Sequence, residues 1–170
     1  SVALIETNMP KPFEATDEPD MRVSAISVTS QSLLSSLGAW QHIENMRTCT
    51  YRRLSVWENG SARTDFDSAD IQAERLDGLH SRVRASANIG TQGWQYRQQA
   101  FAIQIITHAA QQDITWQQFI PTGPVAFLPM YGQFASLVWY NTSDNINRLK
   151  ALSKTALKQE IKKAFPDELV

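Results

Sequence analysis

The sequence predicts an α+β fold, with an antiparallel sheet of about five strands and helices packed against it. Three observations lead there. From Cys49 onward apolar and polar residues alternate over several short runs, the period of half-buried strands. Asn59-Gly60 stands between two of those runs, where a tight hairpin turn needs residues that tolerate positive φ. From Ile146 to Phe165 the apolar residues recur instead at helical spacing.

Taken in order, Val2 to Ile5 is a continuous apolar run that suits a strand buried on both faces. The chain opens on it without an initiator Met, and an upstream portion is expected. Thr7 to Pro19 carries Pro10, Pro12 and Pro19 and reads as a loop. Thr29 or Ser30 is placed to cap a helix with Leu33, Leu34 and Leu37 on one face, and Gly38 to end it. Ala39 to Met46 continues as a second short helix with Trp40 and Ile43 inward. Strands are expected near 51–57, 63–67, 94–108, 115–120, 125–130 and 134–141, the pair 115–130 counting as one hairpin unit. Pro121-Thr122-Gly123-Pro124 and Gly132 supply the breaks. Ser143 and Ser153 are placed as N-caps of two terminal helices, which Pro166 stops. There is no internal repeat and no low-complexity tract.

Composition excludes several classes of function. With 170 residues and 42% hydrophobic content the chain can bury a real core. A net charge of -1 gives no pull toward nucleic acid, and Arg52-Arg53 and Lys162-Lys163 are short enough to be ordinary solvated surface. Cys49 is the only cysteine, which rules out an intrachain disulfide and fits a reducing cytoplasm. No apolar run approaches the roughly 18–20 residues of a membrane span, and the first residues lack the basic and apolar regions of a signal peptide.

The candidates for chemistry are few. His42, His80 and His108 share no metal-ligand spacing, so no metal site is expected. No G-x-S-x-G elbow is present. Trp57, Trp94, Trp116 and Trp139 fall in strands, where core packing is favoured over a ligand-stacking cage. Glu6 follows a buried strand, the position at which a Rossmann-type fold holds a ribose; acids also end strands without any ligand. Asp77-Gly78 leads into Arg82 and Arg84, a pattern open both to phosphate contact and to a plain surface turn.

Together these segments resemble a known family. Asp20-Met21-Arg22-Val23-Ser24-Ala25-Ile26-Ser27 is similar to the D-x-R-x-x-A-[IL]-S stretch of the ubiquinone-biosynthesis flavin hydroxylases. Asp77 to Arg84, read as D-G-x-x-S-x-V-R, resembles the second nucleotide motif of that family and of the wider para-hydroxybenzoate hydroxylase group. Trp116 to Pro129 matches the W-Q-x-F-x-P-x-G-P-x-A-x-L-P strand pair and is followed by Ser136-Leu137-Val138-Trp139. Met46-Arg47 with Tyr51-Arg52-Arg53-Leu54, and Gly90 with Trp94-Gln95-Tyr96, add to it. Within the family the likeness is greatest to hydroxylases of the demethoxyubiquinol ring, with the sister ring hydroxylases as near alternatives. The family's glycine-rich turn would precede Val2, its later G-D motif would follow Val170, and a crossover stretch is missing between Ile71 and Asp77. The five residues Gln72 to Leu76 are too short for the ten to twelve or so that a parallel crossover takes, so a break or join is expected there.

The resemblance implies a para-hydroxybenzoate hydroxylase-like α+β fold with partial FAD/NAD(P)-binding Rossmann-like elements. Residues 1–48 would be partial FAD-binding elements, 49–71 a substrate-domain hairpin, 72–90 a second nucleotide-motif segment and 91–170 the substrate-binding domain. It implies FAD as cofactor, with NAD(P)H as electron donor. Glu6, Arg22, Asp77, Gly78 and Arg84 would lie at the cofactor, and Trp116, Phe119, Phe127 and Pro129 at the substrate. Reduced flavin would activate O2 for transfer onto an electron-rich ring, and no side chain is nominated as a general acid or base. A polyprenyl quinol substrate, a ubiquinone-biosynthesis complex and peripheral membrane association are the implied partners. Lacking the glycine turn, this chain alone is expected to bind flavin weakly and to be inactive. The alternative is a noncatalytic small-ligand-binding or interaction module without flavin. A lipocalin-like fold is set aside because it leaves Asp77 to Arg84 unexplained.

Overall fold

The computed structural model describes residues 11–21, 23–58, 63–71 and 97–166. Six strands form one sheet: β1 (Arg53–Glu58), β2 (Arg63–Asp67), β3 (Gln98–Ile106), β4 (Ile114–Ile120), β5 (Gly123–Pro129) and β6 (Phe134–Thr142). Their spatial order is β2-β1-β4-β5-β6-β3. Two helices, α1 (Val28–Ser36) and α2 (Trp40–Glu44), precede the sheet, and two more, α3 (Ser143–Lys150) and α4 (Lys154–Ala164), follow it. The α+β class therefore stands, with one correction. The sheet is mixed, because β1 runs parallel to β4 while every other neighbouring pair is antiparallel. Parallel neighbours require a long connection, and here β2 and β3 lie between them in the chain. The sheet's six strands fall on the segments expected from alternation, 115–120 and 125–130 among them as β4 and β5.

Alternation decides which side chains meet the helices. Ser55, Trp116, Phe127, Leu137 and Ile103 lie in one cross-strand row, and Val125, Trp139 and Phe101 in the next. These rows face the core, where Ile146 and Leu149 of α3 and Phe165 just after α4 complete one buried cluster. Leu137, Val125, Ile146 and Leu149 are fully buried, each stabilising the fold by about 1.5–3 kcal/mol. The aromatic residues interlock: Trp116 lies 5.3 Å from Trp57 and stacks on Phe127 at 5.8 Å, and Phe165 meets Trp139 edge-on at 5.5 Å.

The helix ends follow capping chemistry, shifted slightly from expectation. Ser27, not Thr29 or Ser30, caps α1 by accepting the Ser30 N–H, and Thr142, not Ser143, caps α3 by accepting from Asn145. Ser153 caps α4 as expected. Gly38, at φ 73°, ends α1 in the left-handed conformation. Leu33 and Leu37, which their spacing puts on one helix face, are 61% and 70% exposed. α1 packs on α2, and among the described residues no further layer covers the leucine face. The apolar run Val2–Ile5, the Asn59-Gly60 turn and the break at 72–77 lie outside the described residues.

Candidate functional site

A cavity of about 950 Å³ opens between the segment 13–52 and the ends of β4 and β5. Val23, Ala25, Ile26, Trp40 and Met46 line one side, and Thr115, Leu128, Pro129, Met130 and Tyr131 the other. Each wall has a local cause. On the sheet side the strands end here, so Leu128 and Thr115 of the face away from the helices look into open space. On the other side the proline-rich loop and the extended stretch 23–27 run across the sheet instead of forming regular structure. Gln104 of β3 fastens this loop by donating to the carbonyls of Pro19, at 2.8 Å, and Asp20.

Arg47 is the principal clamp. Its Nη1 donates to the Asp17 carbonyl and, at 2.8 Å, to the Tyr131 hydroxyl. Its guanidinium also lies 5.1 Å from the Phe13 ring centroid and 4.9 Å from that of Tyr131, within the range of a cation–π attraction. One side chain thus joins the proline-rich loop, the end of α2 and the β5–β6 turn. Among the described residues it has no carboxylate partner.

Cys49 also lines the cavity. Its thiol donates weakly to the Gln112 carbonyl, and Gln111 Nε2 donates to the sulfur. Burial pushes the thiol pKa above its ordinary value; the Gln111 hydrogen bond pulls the other way, and the Asp113 charge adds to the rise. Cys49 is therefore a protonated wall residue rather than a ready nucleophile. Asp20, Glu44, Arg52 and Asp67 give the rim mixed charge. Among the described residues no three His, Cys, Asp or Glu side chains converge on a metal position.

The residues expected at the substrate are spread apart. Pro129 lines the cavity. Trp116 and Phe127 lie in the core beneath the helices, stacked on each other. Phe119 is on the opposite sheet face and 44% exposed. Alternation along β4 and β5 explains this: odd separations put 116 and 127 toward the helices, and 119 and 128 away. Glu6, Arg22, Asp77, Gly78 and Arg84 lie outside the described residues. Arg47, Cys49 and Tyr131 were not singled out as site residues. Arg47 and Tyr131 are 84 positions apart in sequence, and no local spacing announces such a pair.

No protein-family model matches the chain. Among curated proteins it is 33% identical to 3-demethoxyubiquinol 3-hydroxylase of Escherichia coli (strain K12), over 99% of this chain and 58% of that protein. It is 27% identical to the mitochondrial ubiquinone biosynthesis monooxygenase COQ6 of Rattus norvegicus, over 96% of this chain and 49% of the relative. To ubiquinone hydroxylase UbiL of Rhodospirillum rubrum it is 33% identical, over 82% of this chain and 33% of that protein. The chain thus spans about half the length of the first two relatives. The match to the Escherichia coli protein extends over 228 positions, although this chain has 170 residues. A substantial internal stretch of the relative therefore has no counterpart here.

Proposed function

We propose that this chain, which belongs to the ubiquinone-biosynthesis hydroxylase family, is the substrate-side part of an FAD-dependent monooxygenase that hydroxylates a polyprenyl benzoquinol or phenol ring. The observation that carries the reading is the cavity between the 13–52 segment and the strand ends. At about 950 Å³ it lies near the upper end of the range for ligand sites, roughly 300–1,000 Å³. That is room for a flat cofactor ring beside a substrate ring. Its wall of Val23, Ala25, Ile26, Trp40, Met46, Leu128 and Met130 suits apolar, planar groups, and this is the fit the described residues offer to a flavin. Bound flavin would supply the O2-activating chemistry. The chain's own residues would orient the ring and exclude water from it. NAD(P)H would supply the electrons.

On this reading residues 49–71 and 91–170 build the substrate side, and 1–48 and 72–90 carry the flavin-side segments. Glu6, Arg22, Asp77, Gly78 and Arg84 are the cofactor contacts. On the substrate side Pro129 stands on the cavity wall, Trp116 and Phe127 support that wall from the core, and Phe119 reaches the ligand only if the tail runs over the outer face. Among the described residues no helix is long and apolar enough to cross a membrane. The polyprenyl tail would be met by peripheral membrane association or within a ubiquinone-biosynthesis complex. One observation favours a second reading. The internal stretch missing relative to the Escherichia coli protein points to a chain that binds the ring without turning it over.

The test is equilibrium binding to the purified chain of FAD and, separately, of a benzoquinone carrying one prenyl unit. The monooxygenase reading expects saturable quinone binding that strengthens when FAD is added in large excess, enough to fill a weak flavin site. Quinone binding indifferent to FAD supports the noncatalytic module, and no quinone binding removes both.

A further inference from the structure

Tyr131 has a polarised hydroxyl on the cavity wall. Its oxygen accepts a hydrogen bond from Arg47 Nη1 at 2.8 Å, while among the described residues its own O–H has no acceptor. Its ring is fixed from two sides, by the Arg47 guanidinium 4.9 Å from its centroid and by Phe134 at 5.2 Å. A neutral hydroxyl that accepts from a cation becomes a better donor, because hydrogen bonds in a chain polarise one another. Tyr131 lines the cavity, so its remaining proton can be turned to a ligand oxygen there in place of water.

We propose that Tyr131, polarised by Arg47, donates its hydroxyl proton in a hydrogen bond to a ring oxygen of the ligand and so sets which way the ring faces. The ligand class is an aromatic ring with a carbonyl or phenolic oxygen. The inference rests on the cavity being the ring site, as proposed above. It assigns Tyr131 to binding and Arg47 to positioning, since Arg47 acts through Tyr131 and holds the Phe13–Asp17 loop in place.

The experiment compares two probes on the full chain: a benzoquinone with one prenyl unit, and the prenylbenzene of the same shape without ring oxygens. Tyr131→Phe keeps the ring and its contacts with Arg47 and Phe134 and removes only the hydroxyl. Loss of a hydrogen bond of this kind weakens quinone binding about tenfold, while prenylbenzene affinity is expected to stay within about twofold of wild type. Arg47→Met, a second variant, leaves the Tyr131 hydroxyl in place but also frees the Phe13–Asp17 loop, so it is expected to weaken both probes, the quinone by the larger factor. Equal losses for both probes would make Tyr131 a shape residue and overturn the proposal, as would unchanged quinone affinity in Tyr131→Phe. Failure of the wild-type chain to bind the quinone would overturn the reading of the cavity, and this proposal with it. Quinone binding that Tyr131→Phe leaves intact removes this proposal alone.

Discussion

Cys49 shows how a single residue reports on the site. It is the only cysteine in the chain, it lines the cavity, and burial raises its thiol pKa. Alkylation by a maleimide is therefore expected to be slower than for a free thiol at neutral pH. Its rate should still be rising above the ordinary thiol range, and a ring ligand in the cavity should slow it further. Thiol-labelling rates across pH, with and without quinone, check all three. The same shift bears on stability. The folded state holds the thiol proton more tightly than the unfolded chain, so this contribution is complete below the unfolded pKa and is lost as pH rises through the folded one. Glu160 is the opposite case. Hydrogen bonds from Arg148 and then Lys163 hold its carboxyl below the ordinary range, so its contribution is present above that range and fades on acidification. The pair is solvated, so the effect is small.

At the scale of elements, turns and caps make the sharpest predictions. Gly123 opens β5 at φ 132°, and a Cβ there would stand 2.6 Å from the Tyr140 carbonyl oxygen. Gly123→Ala is expected to disrupt the β4–β5 hairpin beside β6, lowering the urea midpoint. Ser153→Ala removes the oxygen that accepts the Ala156 N–H and should cost about 0.5–2 kcal/mol, read from the same denaturation curves. The strands were the most legible part of the sequence. Alternation in Gln98–Ile106 put Phe101, Ile103 and Ile105 together on one face, and the structure does the same. Helix existence was legible too, but caps slid by one to three residues, because neighbouring Ser and Thr side chains serve about equally well as caps. Spacing put Leu33, Leu34 and Leu37 on one face, but whether such a face is covered depends on a packing partner that periodicity cannot supply. The site was the least legible. Trp116 and Phe127 carry the strongest motif, yet their parity on the strand sends them into the core, while the clamp at Arg47 and Tyr131 is made by distant segments.

At the scale of the whole molecule, the sheet separates two tasks. One face is closed by α3 and α4 over Trp116, Leu137 and Trp139, and the strand ends leave the cavity to the loop segment on the other side. Leu137→Ala, at a fully buried position, is expected to lower stability by about 2–5 kcal/mol without changing which ligands the cavity prefers. Chemical denaturation and quinone titration on that variant separate the two tasks, and a changed ligand preference would mean that core and cavity are coupled. The parallel β1–β4 pairing belongs to this scale as well. It depends on segments 60 residues apart coming together, as Arg53 and Asp113 do through their ion pair, and no local pattern encodes it. The most direct measurement of the central claim is a map of backbone and indole chemical shifts as the one-prenyl benzoquinone is titrated into the chain. The account predicts that the shifts concentrate at Trp40, Cys49, Met130 and Tyr131, leaving Trp139 and Leu149 in the helix-covered core unmoved. Shifts centred on Trp139 and Leu149, or none that saturate, would contradict it.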